Sequence, residues 1–119
     1  MTKVFICDDD EGILDVTKII LEEKGYEVSI ILDCTTLIKR AESEKPAVIL
    51  LDLWMPEING EELTKQLKSN TLTRDIKIII ISANKDTEKI AKLAGADDFI
   101  HKPFDIDELE KTLAKYALS

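Results

Sequence analysis

The stretch that most constrains this chain is Ala47-Val48-Ile49-Leu50-Leu51-Asp52, five apolar residues running into one carboxylate. Leu53-Trp54-Met55-Pro56 and then Asn59-Gly60 break the chain immediately after it. An apolar run of this length reads as a strand buried on both faces. Its last residue then sits at the carboxyl edge of a sheet, where α/β proteins place their chemistry. Asp52 is there either as a cap for the next turn or as a reactive group, and its neighbours decide which.

The rest of the chain supplies four more strands. Lys3–Cys7 reads as β1, ending in Asp8-Asp9-Asp10. Apolar residues recur at helical spacing from Glu11 to Lys24 (Ile13, Leu14, Thr17, Ile20, Leu21), giving α1, which Gly25 closes. Tyr26–Leu32 is β2. Asp33 can cap α2 over Thr35–Glu44, which Pro46 ends. The opening stretch is β3. Asn59 can cap α3 over Gly60–Ser69, and Lys77–Ser82 is β4. Lys85–Ala94 is α4, closed by Gly95. Asp97–His101 is β5, and Asp105–Leu118 is α5, with Ile106, Leu109, Leu113 and Tyr116 on one side. Alternation at this spacing requires parallel strands with right-handed crossovers. The expected fold is α/β, a doubly wound five-stranded parallel sheet of order 2-1-3-4-5 in a flavodoxin-like three-layer sandwich. With no linker or repeat, residues 1–119 read as one domain.

Composition limits the partners. The chain has 119 residues, 45% of them hydrophobic and 34% charged, with a formal net charge of −8. Phosphate binding needs a basic surface, so direct nucleic-acid contact is not expected. No stretch approaches a membrane span, and the N-terminal apolar run is too short for a signal peptide. Cys7 and Cys34 do not form a C-x-x-C pair, and are expected to be reduced thiols in a cytoplasmic protein.

In the 2-1-3-4-5 order β1 and β3 are neighbours, so Asp8 and Asp9 fall beside Asp52, while Ser82 and Lys102 end the next two strands on the same edge. Carboxylates packed this closely repel one another: at 4 Å a unit-charge pair costs roughly 4 kcal/mol at an effective dielectric near 20. Either one is protonated or a cation sits among them. Hard oxygen donors without His or Cys suit Mg²⁺, and His101, the only histidine, reads as a surface residue. A carboxylate can also attack phosphorus to give an aspartyl phosphate. Phosphoryl transfer needs positioning and charge cancellation, which a divalent ion, a Lys and a hydroxyl provide. Asp52, central between the acid pair and Lys102, is the best nucleophile candidate, and Asp8 and Asp9 suit metal holding.

From VFICDDDE through AVILLDLWMP and NG to IIIISA and GADDFIHKPF, the chain resembles the receiver domain of two-component response regulators. The resemblance implies a phosphorylation-activated switch, with Asp52 as phosphoacceptor and a sensor histidine kinase or histidine phosphotransfer protein as donor. Asp9 matches the main Mg²⁺ carboxylate and Asp8 its neighbour, with Asp52 and the backbone carbonyl of Trp54 completing the metal site. Ser82 matches the hydroxyl that turns to the phosphoryl group. Lys102 matches its ammonium partner, with a cis bond to Pro103. Phe99 matches the aromatic switch, and Trp54 and Asn84 match the positions that tune dephosphorylation. The resemblance also implies an output surface formed by α4, β5 and α5. There Lys89 and Lys92 against Asp97, Asp98, Glu108 and Lys111 suggest a homodimer.

Other classes fit less well. A Mg²⁺-dependent phosphatase with an Asp nucleophile usually carries a second Asp two residues later, where this chain has Trp54. A nucleotide binder needs a Gly- or hydroxyl-rich loop after β1, and Asp8-Asp9-Asp10 would repel phosphate. A scaffold without phosphorylation would not need the full set of acids, Ser82 and Lys102. The chain is therefore read as a self-assisting phosphoacceptor rather than an enzyme acting on external substrates. It is either a stand-alone receiver or the receiver of a longer DNA-binding regulator.

Overall fold

The computed structural model describes residues 2–8, 11–53 and 59–117. Its elements run β1 Thr2–Cys7, α1 Glu11–Glu23, β2 Tyr26–Ile31, a 3₁₀ turn at Cys34–Thr36, α2 Leu37–Glu44, β3 Val48–Asp52, α3 Gly60–Ser69, β4 Lys77–Ser82, α4 Thr87–Ala94, β5 Asp98–His101 and α5 Ile106–Ala117. The strands form one parallel sheet in the order β2-β1-β3-β4-β5. The expected class and strand order are what the chain adopts.

Side chains alternate along each strand, so the sheet carries two cores. Phe5, Cys7, Ile49, Leu51, Ile78 and Ile80 pack with Leu37, Leu63, Leu67 and Ala91 beneath α2, α3 and α4. Val4, Ile6, Val48, Leu50, Ile79 and Ile81 pack with Leu14, Leu21, Leu109 and Leu113 beneath α1 and α5. All five residues of β3 are buried, as an apolar run without alternation requires.

Local chemistry sets where the structure departs from the expected ends. The Asp33 carboxylate accepts from the Thr35 amide at 3.1 Å. It caps a single 3₁₀ turn, and α2 follows from Leu37 rather than Thr35. Before α4, the Asn84 side-chain oxygen accepts from the Asp86 amide at 2.8 Å and the Asn84 carbonyl from the Thr87 amide at 3.2 Å. That turn occupies Lys85 and Asp86 and moves the helix start to Thr87. Asp105 accepts from the Glu108 amide at 2.8 Å, so it caps α5 rather than joining it. Asn59 caps α3 as expected, accepting from the Glu61 and Glu62 amides at 2.9 and 3.4 Å.

The sequence places Gly60 as a chain breaker and as the first residue of α3, and the structure gives it a further task. A Cβ there would lie 2.7 Å from the Asp52 carbonyl oxygen and 2.9 Å from the Leu53 Cα, both rigid backbone. Only glycine lets α3 start against the backbone of the acid that ends β3. We therefore expect Gly60→Ala to lower the free energy of unfolding by about 1–3 kcal/mol and to shift the NMR amide signals of Asp52 and Leu53. Unchanged stability with unmoved signals would contradict this close approach.

Candidate phosphoacceptor site

At the carboxyl edge of the sheet the ends of β1, β3 and β5 converge. Asp8 and Asp52 are only 4% and 6% exposed. Two carboxylates that far out of water need a nearby cation or a proton. The Lys102 ammonium lies 3.1 Å from the Asp8 carboxylate and 3.6 Å from that of Asp52, bridging them across the sheet. Burial pushes the Lys102 ammonium down, but the hydrogen bond to Asp8 and the charges of Asp8 and Asp52 outweigh it. The net shift is upward, so Lys102 stays charged through the neutral range. Strand parity explains the grouping: residues 8, 52 and 102 are in phase with Ile6, Leu50 and Ile100, which face the α1/α5 core.

Ser82 and Phe99 are in the other phase, on the α4 side. Ser82 is buried, and its hydroxyl accepts from the Asn84 amide at 3.0 Å. The Ser82 carbonyl accepts from the Lys102 amide at 2.8 Å, binding the end of β4 to the lysine's own backbone. Phe99 is half-buried against the α2–α4 core and meets the exposed His101 ring edge-on, with centroids 5.7 Å apart. His101 lies on the surface as expected. The Lys102–Pro103 peptide bond is cis, also as expected. The side-chain oxygen of Asn84 is held in the turn before α4. Asp9 and Trp54, read as metal-holding and rate-tuning residues, lie outside the described residues.

The donor set fits Mg²⁺ chemically. Among the described residues the rim offers two hard carboxylates and one ammonium, its acids outnumber the bridging cation, and no group of three or more His, Cys, Asp or Glu side chains is placed to hold a metal ion.

Several contacts were not foreseen. The sulfur atoms of Cys7 and Cys34 are in direct contact, with Cα atoms 6.4 Å apart. The capped 3₁₀ turn after β2 swings Cys34 over the end of β1, a tertiary approach that the 27-residue separation hid. Asp97 accepts from the Ile78 amide at 2.8 Å and meets Lys68 at 2.6 Å. Asp98 accepts from the Phe99 amide at 2.8 Å and the Tyr116 hydroxyl at 2.9 Å, with Lys115 at 3.7 Å. Burial and then Asp98 push the Tyr116 hydroxyl up to about 12. Lys92 pairs with Glu88. Three of the six charges assigned to a dimer face, Asp97, Asp98 and Lys92, thus have partners within the chain.

A doubly wound parallel sheet of order 2-1-3-4-5, with two buried acids and a lysine at its switch point, is a flavodoxin-like α/β fold. Residues 4–114 match the family model described as the response regulator receiver domain, and the chain belongs to that family. It is 43% identical over 111 residues to the response regulator ArlR of Staphylococcus saprophyticus, covering 92% of this chain and 49% of that protein. It is 36% identical over 103 residues to the alkaline phosphatase synthesis transcriptional regulatory protein PhoP of Bacillus subtilis, covering 86% of this chain and 42% of that protein. The chain therefore spans about half the length of the curated relatives it matches. Among solved structures it superposes on the receiver domain of the sensor histidine kinase PA1611 from Pseudomonas aeruginosa with a TM-score of 0.89 and 25% identity. That match covers 99% of this chain and 98% of that one, whose active-site cleft is described with a coordinated magnesium ion. Among the described residues no helix is long and apolar enough to cross a membrane.

Replacing Lys102 by Met leaves Asp8 and Asp52 facing each other without the ammonium. We expect one of the two carboxyls to take up its proton at a higher pH than in the parent, read by carbon NMR of the Asp side chains. Stability at pH 7 falls by on the order of 2 kcal/mol, below the range for a fully buried pair because Lys102 is partly exposed. An unmoved titration midpoint would contradict the bridging role.

Proposed function

We propose that this chain is a phosphorylation-activated signalling switch, accepting a phosphoryl group on Asp52 from a sensor histidine kinase or a histidine phosphotransfer protein. The observation that carries this is the single ammonium of Lys102 held between the buried carboxylates of Asp8 and Asp52 at the switch point. The Asp52 oxygen attacks phosphorus, its bond to the donor nitrogen breaks, and Lys102 is placed to meet the charge on the transferred oxygens. Asp8 and Asp52, with Asp9 and the Trp54 carbonyl by resemblance, would hold Mg²⁺. The ion would supply charge neutralisation at the phosphoryl oxygens. The magnesium described in the Pseudomonas aeruginosa receiver supports this reading.

A donor also needs a place to dock. Beside Lys102 lies a groove of about 640 Å³ walled by Val16, Ile20, Ala83, Pro103, Phe104 and Ile106. Val16 on its α1 wall is more than half exposed. An amphipathic helix bearing the phosphohistidine fits such an apolar trough.

After phosphorylation, Ser82 turns from the Asn84 amide to the phosphoryl oxygens and Phe99 follows into the space released. The surface of α4, β5 and α5 then changes as a shift between two packed states. The curated relatives include a transcriptional regulatory protein, which supports control of transcription as the output. A homodimer through that face would rely on Lys89, Glu108 and Lys111, which take no part in the internal pairs above.

Incubation with acetyl phosphate and Mg²⁺ is expected to add one phosphoryl mass to the intact chain. Chelating Mg²⁺ or substituting Asp52→Asn should abolish it; undiminished uptake in the Asn variant would rule out Asp52 as acceptor. A second expectation concerns Trp54, which by resemblance matches a position that tunes dephosphorylation and whose large indole would slow attack by water. The aspartyl phosphate should decay several-fold faster in Trp54→Asn, followed by mass spectrometry over time, and equal decay would assign Trp54 no kinetic role.

A further inference from the structure

We propose that Tyr116 is a positioning residue for the switch: its hydroxyl, shared between Asp97 and Asp98, braces the last described turn of α5 against β5 and holds Phe99 in its resting place. The regulatory half of this rests on Asp52 being the acceptor and Phe99 the switch; the brace itself does not.

The Tyr116 hydroxyl donates towards two acceptors, the Asp98 carboxylate at 2.9 Å and the Asp97 carbonyl at 3.1 Å. A phenol has one proton, so the two acceptors share it. They differ in what else holds them. Asp97 is anchored to the scaffold: its carboxylate accepts from the Ile78 amide at 2.8 Å and meets the Lys68 ammonium at 2.6 Å. Lys68 in turn donates to the Ile76 carbonyl at 2.9 Å, so α3, the entry to β4 and the start of β5 are tied at one point. Asp98 is tied to the switch instead. Its other carboxylate oxygen accepts from the Phe99 amide at 2.8 Å, while the mostly exposed Lys115 ammonium stands 3.7 Å from the oxygen that Tyr116 binds.

The phenol therefore spans one fixed acceptor and one that goes with the backbone of Phe99. The Tyr116 ring packs against the α1/α5 core, and Leu109 and Leu113 of the same helix are fully buried. Tyr116 follows a shift of β5 only by disturbing that packing. Of its two bonds, the one to the charged carboxylate is the stronger. An inward step of Phe99 that draws Asp98 with it leaves the hydroxyl on the Asp97 carbonyl alone. The bond to Asp98 thus belongs to the resting arrangement, and deleting it moves the population towards the inward state.

Tyr116→Phe keeps the ring and removes the proton. Beryllofluoride, which binds a carboxylate as an analogue of the phosphoryl group, is titrated with Mg²⁺ into the parent and the variant and followed by NMR amide signals. We expect Tyr116→Phe to bind it several-fold more tightly. Before any addition, the Phe99 amide signal should already have moved, and amide exchange over residues 113–116 should run several-fold faster. Glu110→Gln removes the 2.8 Å ion pair from α5 to Lys24 without touching Asp98, and should keep the parent's affinity. Equal or weaker affinity in Tyr116→Phe, or a matching gain in Glu110→Gln, overturns the positioning role. An unmoved Phe99 signal with unchanged exchange overturns the brace. A parent that takes up no beryllofluoride overturns the acceptor reading and the positioning role with it, while signal and exchange still decide the brace.

Discussion

The ammonium of Lys102 between two buried carboxylates is the interaction on which the rest of the structure depends. Asp8 and Asp52 come from strands adjacent in space but 44 residues apart in sequence, and Lys102 comes from a strand two places further along the sheet. Neither acid can be withdrawn from water at low cost unless the other strands deliver their charges to the same edge. The 2-1-3-4-5 order meets that condition by leaving β1 and β3 adjacent, with their carboxyl ends open at the switch point. The lysine keeps its charge against burial because the two acids are there.

Strand parity divides labour within the sheet. Residues 8, 52 and 102 share the phase of the α1/α5 core, while Ser82 and Phe99 share the phase of the α2–α4 core. Charge is therefore handled on one side and shape on the other. The two are joined where the Ser82 carbonyl takes the Lys102 amide and where Ile80 stands in register with Phe99. Asp98 extends the chain of contacts, accepting from the Phe99 amide and the Tyr116 hydroxyl together. The backbone of Phe99 is thus joined to the last described turn of α5 through two hydrogen bonds.

Much of this was legible in the sequence because it depends on period and on strand ends. Apolar runs such as Ile78–Ile81 are doubly buried whatever surrounds them, and the alternation of strand and helix leaves few topologies. What stayed hidden depends on backbone proximity across the fold. Gly60 resembled an ordinary turn residue until its missing Cβ proved to face the Asp52 carbonyl. Cys7 and Cys34 had no motif spacing, and only the 3₁₀ turn brings them together. Asp97 looked like a surface acid, yet it binds the Ile78 amide and Lys68. The helix starts at Leu37, Thr87 and Ile106 each moved because a polar side chain just before them took an amide, a competition that apolar periodicity does not register.

Energetic scale explains how one added group could govern such a surface. A phosphoryl group brings about −1.5 to −2 charge and three acceptor oxygens, into a site whose lysine is already shared between two acids. Charge-assisted hydrogen bonds contribute about 1.5–3 kcal/mol each. Two new ones, from Lys102 and Ser82, would supply a few kcal/mol, against about 5.5 kcal/mol for a full reversal of a two-state population. The inward state must then lie close in energy to the resting one. The resting contacts fit that requirement: Ser82 would give up one hydrogen bond from the Asn84 amide, and Phe99 would give up an edge contact with His101 while already half-buried. A fully buried Phe99 would have no further to travel, and one wholly in water would owe more apolar burial than the phosphoryl group could control. On the proposed reading, half-burial would leave the ring responsive to a charge placed on the opposite side of the sheet.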